Sequence, residues 1–413
     1  MPGRVAVKKR RGMILAKTVV ALATIVLVLV AGSSWNRAAA QQTAEQTTPD
    51  PPKLRAASWV LVDAETGIYL AGKNPDKRLP VASTTKIMTA LLALEDGANL
   101  DEEVTVSAQA ERYVGFTYSN IGLIKGERLS VEELLEAALV PSGTEAVYTL
   151  AEHLGDGSVG EFVQQMNQEA DSMGLKNTHF ENPAGIDARG NYSSSRDLAT
   201  LARAAMEYPT FADIVDTEEV TISTQNREIE VLNTNNLLYT YEPANGVKTG
   251  TSPAAGACLV ASATSGDESY IAVVLDAAGE EYRFEAARMA LEYGFNNYER
   301  EALAREGEVY EELQLPFRRE ESVGLIAAEG VPGPVGPGLE VERRVTAEDA
   351  PPAAKEGREL GTVEVLVDGT SVGSSPLVTK RGYEEASLWQ KVKYWTSGAA
   401  KSVSGWISGL TTS

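Results

Sequence analysis

Residues 80–95 constrain this chain more than any other stretch. Pro80-Val81-Ala82-Ser83-Thr84-Thr85-Lys86 runs directly into Ile87-Met88-Thr89-Ala90-Leu91-Leu92-Ala93-Leu94-Glu95. The second part is apolar and rich in strong helix formers, so the spacing predicts a helix with Ser83 in its first turn. On a helix, positions i and i+3 share a face, about 5–6 Å apart at Cβ. Lys86 is therefore placed to reach the Ser83 hydroxyl. Such a hydroxyl is a weak nucleophile until a base takes its proton, and a lysine of depressed pKa can serve. The positive end of the helix dipole at Ser83 would favour developing negative charge. A Ser-x-x-Lys pair alone also fits an ordinary helix start with a surface lysine, so the rest of the chain must decide.

The chain has 413 residues and a net charge of −21, unevenly spread. Residues 1–40 carry seven Lys/Arg and no acid, which leaves −28 for the remainder. That acidity argues against nucleic acid, whose phosphates need a basic footprint. The seven charges include Arg4, Lys8, Lys9, Arg10, Arg11 and Lys17 ahead of the apolar run from Thr18 to Gly32, and Ala38-Ala39-Ala40 follows. This three-part pattern predicts a secretory signal peptide over residues 1–40, with cleavage favoured over an uncleaved anchor. The only cysteine, Cys258, lies in an apolar run and reads as a small buried hydrophobe. An exported chain with one cysteine has no internal disulfide and must hold by its core.

Residues 41–56 are polar and read as a linker. Ala56 to Ala71 is two apolar runs around Asp63-Ala-Glu-Thr-Gly67, hence a hairpin. Helical patterns cover Val131 to Leu139, Pro141 to about Leu154, Glu161 to Met173 and Ser195 to Met206. From Val220 the character turns to strands: Val220 to Ser223, Glu228 to Val231, Gly246 to Thr251, Gly256 to Thr264 and Tyr270 to Leu275. A long helix, Glu280 to Tyr298, closes this part. Strands at both ends with helices between predict an α/β sheet domain with a helical insert, over residues 57–300. Residues 305–382 read as a small all-β region, with Val331 to Gly338 and Pro351-Pro352 as long loops. In the segment 386–412, Leu388, Val392, Trp395, Ala399, Val403, Trp406 and Leu410 share one helix face beside Lys391, Lys393 and Lys401. That basic, aromatic-rich pattern predicts an amphipathic helix lying in a membrane surface rather than one docked on the β region.

Two further motifs join Ser83 and Lys86. Pro141-Ser142-Gly143-Thr144-Glu145-Ala146 follows Ser83 by 59 residues at Ser142, and Gly246-Val247-Lys248-Thr249-Gly250-Thr251 follows by another 106 at Lys248. Each has a job: Ser142 relays a proton to a leaving amine, the Lys248 strand offers an edge for an extended peptide, and its Lys and Thr donate to a carboxylate. Gly250 leaves room for close backbone approach. Their order, Ser-x-x-Lys, then a second Ser, then Lys-Thr-Gly, is that of penicillin-binding proteins and β-lactamases.

The chain resembles the exported serine-type D-alanyl-D-alanine carboxypeptidases, the low-molecular-mass penicillin-binding proteins. The likeness extends to Val62-Asp-Ala-Glu-Thr-Gly67, Lys73-Asn-Pro-Asp76, Ala82 to Ala90, Ser130 to Leu135, Asn182-Pro-Ala-Gly185, Tyr192 to Asp197, Asn233-Thr-Asn235 and Ala255 to Ala263. It is dense from about residue 57 to 300 and looser over the β region and terminal helix. The resemblance implies a β-lactamase/transpeptidase-like fold: an antiparallel sheet flanked by helices with a helical insert, α/β, then an all-β domain and an amphipathic helix. It implies that Ser83 attacks the carbonyl between two terminal D-alanines of peptidoglycan stem peptides, that Lys86 is the base, and that Ser142 passes the proton on. It implies Ser83 and Thr251 N–H groups as the oxyanion hole, Lys248 and Thr249 on the terminal carboxylate, β-lactams as inhibitors and no metal or other cofactor. Location on the outer face of the cytoplasmic membrane follows.

One position departs. The family usually carries Asn where this chain has Thr144, a hydroxyl shorter than an amide and free to rotate. Altered substrate contact or slower turnover is expected rather than lost chemistry. The competing readings are a non-catalytic stem-peptide binding module, with Thr144 as a mark of decay, and a class A β-lactamase, for which no deacylating Glu is evident. With His153 and His179 as the only histidines, neither a zinc carboxypeptidase nor a Ser-His-Asp triad is supported.

Overall fold

The computed structural model describes residues 49–396 apart from 96–98 and 116. The predicted signal segment 1–40, most of the linker and the tail beyond residue 396 lie outside the described residues. Five antiparallel strands form the central sheet, in the order Tyr69–Lys73, Ala56–Asp63, Glu268–Ala277, Gly256–Ser265, Ala244–Ser252. Its middle strands are apolar on both faces because both faces are covered. Cys258, Val260, Val273 and Leu275 point into a core shared with the helical insert, while Leu259, Ala261, Ala272 and Val274 point into a second core under the helix Glu280–Asn297.

The helix Lys86–Leu94 is the centre of the insert. Its N-cap makes no side-chain bond, so packing rather than capping holds it: Ile87, Met88 and Leu91 are fully buried. Each such side chain contributes about 1.5–3 kcal/mol. The surrounding helices are capped from the sequence. Ser130 and Glu133 close a capping box on Val131–Leu139, Ser158 caps Val159–Ser172, and Ser194 caps Ser195–Met206. A further helix, Pro209–Asp216, was not predicted from its short pattern; it opens on Pro at its first turn.

Three sequence expectations are corrected. The helix expected from Pro141 begins at Thr144, because Ser142 has φ +68° and cannot belong to it. Ser83 sits in a 3-10 turn, Ala82–Thr85, ahead of the α-helix. Val331–Val335, read as loop for its prolines, is a strand paired with Glu299–Ala304. A two-stranded ribbon leaves one edge of each strand unpaired, where proline's missing N–H costs nothing.

The strand Glu299–Ala304 also runs across the expected division at 300–305, and the second core is continuous through it. Leu303, Leu325, Val363 and Leu377 join the cluster that holds Leu291 and Phe284. Beyond it, a five-stranded antiparallel sheet runs Val309–Gln314, Ser322–Ala327, Thr370–Thr379, Glu359–Val367, Val341–Ala347. Buried Tyr298 marks the join, its hydroxyl donating to Leu70 O at 2.9 Å.

Candidate active site

Three segments that are far apart in sequence meet at the Ala244–Ser252 edge of the sheet. The first is the 3-10 turn carrying Ser83, which is half-buried. The second is the Ser142 turn, which stands between the helices Val131–Leu139 and Thr144–Leu154. The third is the edge strand with Lys248, Thr249, Gly250 and Thr251.

Lys86 joins the first two. Its ammonium donates to Ser142 O at 2.5 Å and to Ser142 Oγ at 3.0 Å. The left-handed backbone at Ser142 turns both oxygens of that residue toward the lysine. Burial, partly offset by the charge of Glu145, brings the Lys86 pKa down to about 7. A buried lysine with so low a pKa is a base near neutrality rather than a fixed charge.

Gly250 joins the strand to the Ser83 turn. A Cβ there would stand 2.7 Å from Val81 O and 3.1 Å from Ser83 N, so only glycine lets the strand lie this close. Beside it, Lys248 is buried and its Nζ has no hydrogen-bond partner. Burial, then the positive charges of Lys86 and Arg283, hold its pKa well below the ordinary lysine value. An arriving carboxylate relieves all three penalties at once. Thr249 Oγ1 shares a hydrogen bond with Thr234 Oγ1 at 2.7 Å. Thr144 is buried in the first turn of its helix, its N–H donating to Ser119 O at 2.8 Å.

Four contributors escaped the sequence reading. Arg283, from the long helix, donates to Thr251 Oγ1 at 2.6 Å and to Gly250 O at 3.2 Å, which braces the strand from behind. Nothing in that helix's pattern distinguishes Arg283 from a surface charge. Thr234 and Glu145 lie in motifs already singled out but had no role there. Gly185, of Asn182-Pro-Ala-Gly185, packs against the carbonyl of Ala82, itself at φ +49°. Asn182 Oδ1 accepts from the N–H groups of Ala184 and Ile186 and so shapes that loop.

A sequence profile described as D-alanyl-D-alanine carboxypeptidase matches residues 45–279. The chain belongs to the D-alanyl-D-alanine carboxypeptidase family. The D-alanyl-D-alanine carboxypeptidase DacF of Bacillus subtilis is 33% identical, across 81% of this chain and 87% of that protein. DacC of Escherichia coli is 32% identical, across 84% and 89%. Among solved structures, penicillin binding protein 5 from Haemophilus influenzae matches with TM-score 0.65 at 31% identity, covering 81% of this chain and 99% of that one. The Streptomyces DD-transpeptidase matches with TM-score 0.57 at 37% identity, covering 60% and 99%. The chain is thus a serine peptidase, with the sheet, helices and separate β-rich region of its relatives.

Proposed function

We propose that this enzyme removes the terminal D-alanine from peptidoglycan stem pentapeptides through an acyl-enzyme on Ser83, and that β-lactams acylate the same oxygen. The observation that carries the assignment of roles is the Lys86 ammonium held on both oxygens of Ser142, beside the turn that bears Ser83. The peptide lies extended along the edge strand, its carboxylate on Lys248 and Thr249. Ser83 Oγ forms a bond to the penultimate D-alanine carbonyl carbon as its proton passes to neutral Lys86. The oxyanion that results faces the N–H groups of Ser83 and Thr251, donors of a kind worth about 2.7–4 kcal/mol each. The C–N bond then breaks, Ser142 passing a proton from Lys86 to the departing amine. Water attacks the ester and frees Ser83.

The test is to incubate the purified protein with a peptide ending in D-Ala-D-Ala, measure free D-alanine, and map the penicillin adduct by mass spectrometry. D-alanine release with the adduct on Ser83 is expected. An adduct on any other residue overturns the assignment, and neither release nor adduct returns the binding-module reading.

Thr144→Asn is expected to raise D-alanine release by about 2–10-fold, the worth of one net hydrogen bond. Unchanged turnover on every peptide tried would show that Thr144 does not touch substrate.

We also read the chain as exported and held at the outer membrane face by its terminal helix. No described helix is long and apolar enough to cross a membrane. Residues 388–396 are helical, and Leu388, Trp389, Val392 and Trp395 are all more than half exposed. Arg319 holds the opposite side, its guanidinium 4.6 Å from the Tyr394 ring. The rest of the predicted helix lies outside the described residues. The double substitution Trp389→Ser, Trp395→Ser is expected to weaken binding of the full-length protein to lipid vesicles by roughly tenfold or more. Binding equal to that of the unaltered protein would remove the membrane reading.

A further inference from the structure

A fully buried carboxylate stands next to the catalytic centre without a part in the chemistry above. Glu145 is in the first turn of the helix Thr144–Leu154, where an acidic residue ordinarily faces water and favours the helix dipole. Here it is 0% exposed. Its Oε1 accepts from the N–H groups of Ile121, Gly122 and Leu123 at 2.7, 3.0 and 3.3 Å. Its Oε2 is buried with no hydrogen-bond partner, and it lies 3.6 Å from the point where a Cβ on Gly143 would stand, beside the Ser142 turn. Leaving a carboxylate oxygen unpaired in the interior is costly, so a purely structural staple would do better as Gln.

We propose that Glu145 is a positioning residue for acylation: Oε1 ties the 119–123 loop over the Ser142 turn, and the negative charge faces the Lys86 ammonium and steadies it. The loop sits on the Ser142 turn directly, since Ser119 O accepts from Thr144 N. It is gripped from its other side by Arg227, which donates to Gly122 O and to both oxygens of Glu127. The charged groups that the Glu145 carboxylate acts on are Lys86 from its helix and Arg227, itself paired with Glu127; Lys248 and Arg283 act on Lys86 or on each other at the edge strand. Lys86 and Arg227 are the cations that its charge acts on, so Glu145 is a counter-charge to the Lys86 ammonium. The effect on Lys86 has the corresponding sign: the Glu145 charge raises its pKa against burial, toward the value near neutrality. Burial also raises Glu145's own pKa, which the three N–H bonds oppose.

The inference rests on Lys86 being the base, and the test separates the two. Glu145→Gln keeps a carbonyl oxygen for the three N–H groups but removes the charge. The rate of penicillin acylation is measured against pH. In Glu145→Gln the acid limb is expected to move down by roughly one pH unit, the lower end of what a close charge imposes. Glu145→Asp, which keeps the charge, should leave the limb in place while slowing acylation through the stretched loop. A staple without electrostatic effect predicts the wild-type limb in Glu145→Gln, and that result in a folded protein overturns the proposal. Should Glu145→Gln fail to fold, the unaltered enzyme carries the test. The Lys86 Cε resonance, followed by NMR, should show a second inflection as Glu145 titrates, and a single inflection overturns the proposal. If Lys86 were not the base, the acid limb would persist in Lys86→Met, while the Lys86 resonance of the unaltered enzyme would still report on Glu145.

Discussion

Gly185→Ala is expected to fold and to lose acylation by a factor on the order of 10² or more. Gly185 has φ +78°, and an added Cβ would stand 1.8 Å from Ala82 O and 2.9 Å from Thr85 Oγ1. The first is backbone and the second the hydroxyl of a buried, β-branched side chain, and both belong to the 3-10 turn that carries Ser83. The Ala82 carbonyl must therefore retreat by more than an ångström, and a misplacement of about 1 Å is enough to cost a factor near 10². Alanine in left-handed backbone adds a strain of roughly 1–2 kcal/mol. Gly174→Ala is the control, because Gly174 has φ +71° with nothing within 4 Å of the added Cβ. It bears the same strain without touching the turn, and should acylate normally. Penicillin acylation kinetics with thermal melts on both variants decide the matter. Wild-type acylation by Gly185→Ala would mean that the 182–185 loop does not support the nucleophile.

That dependence shows where a linear reading stops. Ser83, Lys86, Ser142 and the Lys248 strand could be singled out as candidates because each sits in a short motif whose spacing has a local meaning. The strands Gly256–Ser265 and Glu268–Ala277 were legible because burial on both faces makes a continuous apolar run. Gly185 and Arg283 act through packing with segments about 100 and 30 residues away, for which one sequence carries no periodic signal. The start of the helix at Thr144 was misplaced for a similar reason. Pro141-Ser142 has the residue types of a helix start, but the contact with Lys86 holds Ser142 in a conformation that a helix cannot use. In the β-rich region, alternation found the centre of Glu359–Val367, whereas the Pro-containing strand Val331–Val335 needed its partner to be seen.

The same tension between function and fold yields a second large effect. Lys86→Met is expected to reduce acylation by about 10²–10⁴, the usual contribution of a positioned general base, and to raise rather than lower stability. Lys86 is 1% exposed and its pKa in the folded protein is about 7, against 10.5 as the ordinary value. Between these values the unfolded chain binds more protons at this position than the native state. Stability from this group therefore rises with pH across the window from about 7 to 10.5 and is lowest below it. Methionine fills a similar volume without a charge, so the penalty disappears throughout. In the unaltered enzyme, acylation should fall about tenfold per pH unit below roughly pH 7, as the base becomes protonated. In Lys86→Met the residual rate should lose that limb. Acylation rates from pH 5 to 9 and melting temperatures at pH 7 test both statements together. A variant that melts lower and keeps the limb would place the base elsewhere and make Lys86 a structural residue. A variant that melts as high or higher, is slow, and no longer follows pH would establish that the native state carries this buried ammonium for catalysis at a cost in stability.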